Sequence, residues 1–432
     1  MKPRATVVLD VGKTHVKLRA LDGEGRELDG RARDNRGVDS AQGYLALDTD
    51  GIEGWLWDSL ASMAGRLHIE RFIASTHGAA FAAIDSDGLV LPVVDYEFDA
   101  YAGQRAAYAE AVGDLRETWS PHLPMGLNAA RPWYWLSREF AREFAQAGVL
   151  LPYPQYWAWR LGGVPATEPS SLGCHTHLWA PVRRGWSRLA RCEGWDHRFA
   201  PMRNAWDELG PVRPELARRL GLPADCIVHA GVHDSNACLA RHLRQSPAMT
   251  LVTSGTWTVV MACGGQVGAL DLSADMLANV SVAQDLVPTA RFMGGRDHEA
   301  LCGGAAPGDA QLSLVAGLLA DGIEVQPGPG GARPRVSRRG EAIAPQALSP
   351  AQRATLAALY CAQMTAERVM ALAGPSPVVV DGPLARNPVY VALLAERLPG
   401  HACRVADEAD GTLRGAWALT RWNTGRREAA GG

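Results

Sequence analysis

Ile227-Val-His-Ala-Gly-Val-His-Asp-Ser-Asn-Ala-Cys-Leu-Ala-Arg-His-Leu243 reads as a short apolar strand, a glycine turn and a helix that begins at Asp234 or just after it. An acid at the tip of a strand-to-helix turn faces a cleft rather than a core. There it can take a proton from a hydroxyl as that hydroxyl attacks phosphorus. The same residue type is a favoured helix N-cap, satisfying orphan N–H groups of the first turn. Both readings of Asp234 stand on this stretch alone, and caps are the commoner use.

Upstream, Thr6-Val-Val-Leu-Asp-Val-Gly-Lys-Thr-His-Val-Lys-Leu-Arg-Ala20 gives strand, polar glycine turn and strand, and Leu21-Asp-Gly-Glu-Gly25 makes a second turn before a third strand. Gly12-Lys13-Thr14 is not a P-loop, because Val7 stands where that motif needs glycine and His15 to Ala20 is extended rather than helical. Such a turn can still offer backbone N–H groups and the Thr14 hydroxyl to phosphate oxygens. Asp10 can hold Mg²⁺ directly or through water. A plain surface hairpin is the alternative.

Downstream, Ser246-Pro247 reads as a hinge, and Met249-Thr-Leu-Val-Thr-Ser-Gly-Thr-Trp-Thr-Val-Val-Met261 repeats the layout: two β-rich runs around a small polar turn. Two domains that each open with a phosphate-sized turn suggest duplication, with a nucleotide held between them. The length of 432 residues also suits two domains, 1–245 and 246–432.

Between these landmarks, Asp50 to Arg66 patterns as a helix with Trp55, Trp57, Leu60 and Met63. A strand at Arg71 to Ser75 leads into Thr76-His77-Gly78, and Ala79 to Ile84 is the next strand. His77 can hydrogen-bond a polar substrate or be a satisfied structural histidine. Eight of the fourteen tryptophans lie between Trp133 and Trp206, suiting either the C–H faces of a sugar or a helical core. His175-Thr-His177 lacks a third ligand at a spacing that would hold zinc.

Toward the C-terminus, Gly294-Gly-Arg-Asp-His-Glu299 is a polar glycine turn of unassigned role, and Gln326 to Pro350 reads as a solvated, mobile loop. Ser349 and Pro350 open a helix that Gly374 closes, its buried face carrying Leu356, Leu359, Tyr360 and Met364. Strand Pro377 to Val380, turn Asp381 to Asn387, helix Pro388 to Leu398, strand Cys403 to Ala406 and a helix from about Thr412 complete an α/β alternation.

A net charge of -3 gives no reason to expect nucleic acid or an anionic membrane as partner. No run reaches membrane-span length, and eight cysteines without a C-x-x-C pair fit a cytoplasmic protein with reduced thiols.

Taken together and in this order, the motifs resemble those of the FGGY carbohydrate kinases of the actin-like ATPase superfamily. The resemblance implies an α/β fold of two actin-like (ribonuclease H-like) domains with an interdomain cleft. It also implies transfer of the γ-phosphoryl group of Mg²⁺·ATP to a sugar hydroxyl. Asp10-Val-Gly12-Lys13-Thr14 is similar to the first phosphate motif, with Lys13 where that family has Thr or Ser, and Asp10 as the metal residue. Ser254-Gly255-Thr256 is similar to the second phosphate motif. His77 and Gly78 fall on the segment placed against the sugar, and Asp234 on the catalytic base, with His233 beside it as a further sugar contact. Gly382 and Asn387 fall on the adenosine motif, where Asp381 replaces a glycine, and Gly415 on the helix start that closes the adenine pocket. His233 and the Gly294 turn resemble the rhamnulokinase and fuculokinase side, implying a ketose such as the 6-deoxyketoses L-rhamnulose or L-fuculose. A pentulose or polyol kinase, a sugar- or nucleotide-sensing regulator and an ATPase or acyl-phosphate enzyme of the same superfamily are the alternatives. The reading leaves room for a homodimer.

Overall fold

The computed structural model describes residues 1–99, 101–328, 332–406 and 410–423. The chain divides into two compact units, one of Met1–Gln245, Ala278–Leu286 and the stretch from Gly411, the other of Ser246–Leu277 and Val287–Asp410.

The first unit is built on a seven-stranded sheet. Arg4–Val11 pairs antiparallel with His15–Leu21, which pairs antiparallel with Glu27–Asp34. On its other side Arg4–Val11 runs parallel to His68–Thr76, matching Val11 with Thr76. Ile227–His229 and Val232–His233 also run parallel to His68–Thr76, and His233 is again matched with Thr76. Val7, Val8, Leu9 and Val11 are all fully buried, the near-continuous run that a strand covered on both faces requires. Thr49–Ala64 covers one face with Ile52, Leu56, Leu60 and Met63 at helical spacing, started by Asp48, whose carboxylate accepts the Gly51 N–H. The consequence for function is topological. Three strands, Arg4–Val11, His68–Thr76 and Val232–His233, end together in parallel, and the carboxyl ends of such strands are where an open α/β sheet binds ligands.

The second unit has a six-stranded sheet in the order Met276–Val280, Leu286–Phe292, Thr258–Cys263, Met249–Ser254, Val378–Asp381, Cys403–Val405. Met249–Ser254 is antiparallel to Thr258–Cys263 and parallel to Val378–Asp381, with Thr253 opposite Asp381. A hairpin flanked by a parallel strand therefore occurs in each unit. Pro350–Ala371 packs its Leu356, Leu359, Tyr360 and Met364 face into this unit's core. Ser349 Oγ accepts the Gln352 N–H while the Gln352 side chain accepts the Ser349 N–H, a reciprocal cap that fixes the helix start.

Two sequence expectations are corrected. The chain after Gln245 is not one continuous domain. Ala278–Leu286 and the helix Gly411–Leu419 belong to the first unit, where Val282, Leu413, Ala416 and Leu419 join a core with Val8, Ile73, Ala237 and Ala240. An apolar stripe announces that a helix is covered, but not by which sheet. The stretch 326–350 is not all loop: Arg335–Arg338 and Glu341–Ile343 form a small sheet with Ile323–Gln326. Arg339 and Gly340, both at positive φ, make the tight hairpin turn there. Residues 329–331 of that stretch lie outside the described residues. Gly374 closes its helix through its N–H to Val369 O at 2.9 Å, with Ala373 before it in the left-handed conformation. A Cβ on Gly374 would fall 2.5 Å from Thr250 Oγ1.

Candidate functional site

Asp234 opens the helix Asp234–Leu243 at the end of the Val232–His233 strand. Gly231 at φ +92° makes the turn before it, where a Cβ would fall 2.8 Å from Ala74 O. The buried Gln155 side chain donates to both Ala230 O and Gly231 O and fixes the same bend. The carboxylate does not cap the helix. The cap position is His233, without a side-chain cap bond, and the one helix N–H that Asp234 Oδ1 accepts among the described residues is that of the adjacent Ser235 at 2.6 Å, with the Ser235 hydroxyl at 3.3 Å. The third neighbour of Oδ1 is His233 Nε2 at 3.0 Å. Oδ2 meets no protein donor among the described residues, and about a third (34%) of the side chain is exposed. Burial works to raise this carboxyl, but the His233 imidazole beside it outweighs burial and holds it below the ordinary carboxylate range.

His77 follows the neighbouring strand, its N–H bound to Val11 O. Its Nδ1–H donates to Gly78 O at 2.8 Å, leaving Nε2 as a lone pair without a partner, although the residue is only 7% exposed. Burial lowers its titration, so at neutral pH the ring is an uncharged acceptor. Tyr96 and Tyr153 pack edge-on or tilted against it.

Lys13 leaves the first phosphate turn. Its ammonium pairs with the fully buried carboxylate of Asp95 and with Glu97 at 3.1 Å, and lies 5.0 Å above the Tyr96 ring. The turn itself keeps its shape through Gly12 N–H to His15 O at 3.0 Å. The backbone N–H groups of Lys13 and Thr14 donate to nothing among the described residues, a nest suited to an anion. Asp10 is the penultimate residue of its strand, opposite Ser75. Among the described residues no three His, Cys, Asp or Glu side chains converge on one point. A metal at Asp10 would therefore be held largely by water and phosphate oxygens, as Mg²⁺ usually is.

The second unit holds a matching turn. Gly255 N–H closes it on Trp257 O at 2.8 Å, while the N–H groups of Thr256 and Trp257 donate to nothing among the described residues. Ser254 Oγ donates to Asp381 O at 2.9 Å and accepts the Leu384 N–H at 3.0 Å, tying this turn to the one at Asp381. Gly382, at φ +86°, lies so close to Ser254 O that any Cβ would overlap it. Asp381 Oδ1 accepts the Gly382 N–H at 2.6 Å, a local turn bond. Sequence reasoning left Gly294-Gly295 without a role. A Cβ on Gly295 would overlap Gly255 O and one on Gly294 would overlap Thr258 Oγ1, so this pair lets the helix Gly294–Cys302 start against the turn. A run of two glycines opening a helix was the available signal.

Two expected nucleotide residues have other partners. Asn387 Oδ1 caps the helix Pro388–Arg397 through the Val389 and Tyr390 N–H groups. Gly415 lies in the first unit, where a Cβ would overlap Ala237 O, so its smallness serves the packing of Gly411–Leu419 on the Asp234 helix. In the H-x-H segment, His177 is wholly buried between Tyr108 Oη and Ser120 O. His175, at φ +43°, donates from Nδ1 to Leu127 O at 2.6 Å. A Cβ on Gly78 would be 3.5 Å from His175 Nε2, so this ring belongs to the His77–Asp234 neighbourhood that sequence reasoning missed.

The two glycine turns, one in each unit, and the acid at the end of parallel strands are each suited to phosphoryl chemistry. Residues 246–428 match the carbohydrate kinase FGGY, C-terminal domain. Over 96% of its length the chain is similar to a carbohydrate kinase from Novosphingobium aromaticivorans, at 32% identity, 93% coverage of that protein and a TM-score of 0.87. The gluconate kinase of Lactobacillus acidophilus (14% identity, TM-score 0.76, covering 98% of this chain and 90% of that one) has the same fold. So does the xylulose kinase of that organism (14% identity, TM-score 0.73, with the same coverages). No curated protein matches the chain by sequence. The protein belongs to the FGGY carbohydrate kinases. It is a sugar kinase with the two-domain actin-like fold, of a family that uses ATP. Among the described residues no helix is long and apolar enough to cross a membrane.

Proposed function

We propose that the protein transfers the γ-phosphoryl group of ATP to a hydroxyl of an uncharged ketose, with Asp234 as the base. The observation that carries this is the asymmetry of its carboxylate: protein donors crowd Oδ1 and leave Oδ2 open. Ionised at neutral pH, Oδ2 orients the acceptor hydroxyl and takes its proton as the oxygen–phosphorus bond forms. The proton later passes to solvent, and ADP departs with the electrons of the broken bond. His77 Nε2 supplies a neutral acceptor for a second sugar hydroxyl. The Lys13–Thr14 N–H groups of the first unit, and separately the Thr256–Trp257 N–H groups of the second, are suited to phosphate oxygens. Asp10 would hold Mg²⁺, which supplies charge neutralisation on the β- and γ-phosphates when bound.

An uncharged acceptor follows from the local charges. The Lys13 ammonium is already matched by Asp95 and Glu97, and His77 is neutral, so neither offers a cation to a sugar carboxylate. The 6-deoxyketoses L-rhamnulose and L-fuculose are the first acceptors to try, with pentuloses and polyols as alternatives. The two features that suggested a 6-deoxyketose, His233 and the Gly294 turn, also have structural partners of their own.

Asp234→Asn and Asp234→Ala should lower kcat by about 10²- to 10⁴-fold, the usual worth of a positioned base. Thermal unfolding and nucleotide affinity should stay near wild type. An Asp234→Asn enzyme of normal kcat would remove the base from the mechanism.

A further inference from the structure

Behind Asp234 lies a pair of side chains that the reaction above does not use. His233 Nε2 is 3.0 Å from Asp234 Oδ1 and 3.5 Å from Cys174 Sγ. Both His233 and Cys174 are closed off from solvent, at 6% and 2% exposed. The other ring nitrogen of His233, Nδ1, has no partner. An ionised carboxylate can only accept, so the proton at this contact belongs to Nε2. The backbone is shaped for the same contact: a Cβ on Gly78 would come within 2.9 Å of His233 Nε2, and glycine lets the His77 turn close over the ring.

We propose that Cys174 and His233 are positioning residues for phosphoryl transfer. Cys174 Sγ and Asp234 Oδ1 share the Nε2–H of His233, which fixes the carboxylate plane and presents Oδ2 alone to the acceptor. The inference rests on reading Asp234 as the base. Electrostatics agree with the geometry. Burial works to raise the Cys174 thiol, but His175 and His233 bring it down to about 6, and Cys174 with Asp234 holds the His233 proton well above the usual range despite burial. The charged or titratable groups around the carboxylate and its imidazole are Cys174 and His175 from their loop, His77 from the strand end and Tyr96 packed on His77, with Asp95 and Lys13 acting through His77.

The test compares pH profiles of kcat/KM, with acceptor varied, for wild type, Asp234→Asn, His233→Ala, His233→Gln, Cys174→Ser and Cys174→Ala. Without its imidazole neighbour Asp234 keeps its partial burial but loses the charge that holds it low, so its acid limb should move up by about one unit or more in His233→Ala. His233→Gln places an amide N–H near the position of Nε2. It should recover most of kcat while keeping the displaced limb, since an amide donates but carries no charge. Cys174→Ala should lower kcat by about tenfold to 100-fold with the KM for ATP unchanged, the scale of a small misplacement of a reacting group. Cys174→Ser should fall between. The thiolate ultraviolet absorbance of wild type minus Cys174→Ser should titrate below neutrality and shift upward in the His233→Gln background. Unfolding curves identify any variant that fails to fold, and the two conservative variants then carry the comparison. If Asp234→Asn is inactive while the acid limb of His233→Gln and His233→Ala coincides with wild type, the positioning role is wrong and the base assignment survives. If Asp234→Asn is active, both fall.

Discussion

Lys13 shows how a single substitution at a phosphate turn can be read in sequence and then explained by a neighbour. It stands where the family has Thr or Ser, and its charge neutralises Asp95, whose side chain is fully buried. Removing one partner of a buried pair leaves the other charged and desolvated, which costs about 3–5 kcal/mol when burial is complete. Lys13 itself is about a fifth exposed (21%), so the lower end of that range applies. Lys13→Thr should lower the urea midpoint accordingly, and Lys13→Thr with Asp95→Asn should restore most of the loss in a double-mutant cycle. An unchanged midpoint for Lys13→Thr would show the pair to be incidental.

His177 supplies the pH prediction at this scale. Burial lowers its titration from 6.5 to about 3, so its neutral form contributes stability above 6.5 that is lost as pH falls toward 3. A proton gained only on unfolding gives a slope of about 1.4 kcal/mol per pH unit for one histidine. The unfolding free energy of wild type should fall on acidification through that window, and His177→Gln should flatten the slope. Equal slopes in the two proteins would contradict this. Of the candidate site residues, Asp234 and His77 were legible because each ends a strand in a recognisable motif. Cys174 and His175 were not, because nothing local in Cys174-His-Thr-His177 announces that its loop comes to lie beside residue 233.

Elements were legible where period and punctuation agree. The Ser349-Pro350 start, the Asn387-Pro388 start and the opening hairpin follow from cap and turn chemistry that acts within a few residues. The close-packing roles of Gly294-Gly295 and Gly415 were not legible because each rests on a long-range contact, and a glycine in sequence does not say whether it is needed for φ or for closeness. Gly415→Ala separates these two effects. In an isolated helix the change should stabilise by about 1 kcal/mol. Here a Cβ would overlap Ala237 O on the Asp234 helix, and overpacking of that kind costs about 1–3 kcal/mol. Net destabilisation in urea unfolding, with lowered kcat through displacement of the Asp234 helix, is expected. A stabilised enzyme would mean that the two helices part without penalty.

For the whole molecule, repetition was the legible feature and allocation was not. The two hairpins with polar glycine turns announce two similar halves. The return of Ala278–Leu286 and Gly411–Leu419 to the first unit depends on which apolar faces meet, and that is set by three-dimensional packing alone. The central claim concerns the molecule as an enzyme: a carbohydrate kinase that phosphorylates an uncharged sugar by way of Asp234. Its most direct test is coupled ADP release by the purified wild-type protein with ATP and Mg²⁺, across 6-deoxyketoses, pentuloses, polyols and sugar acids. The account predicts release that depends on an uncharged ketose, absent without acceptor and abolished in Asp234→Asn. Release that runs equally without sugar, or that occurs only with a sugar acid, would contradict it.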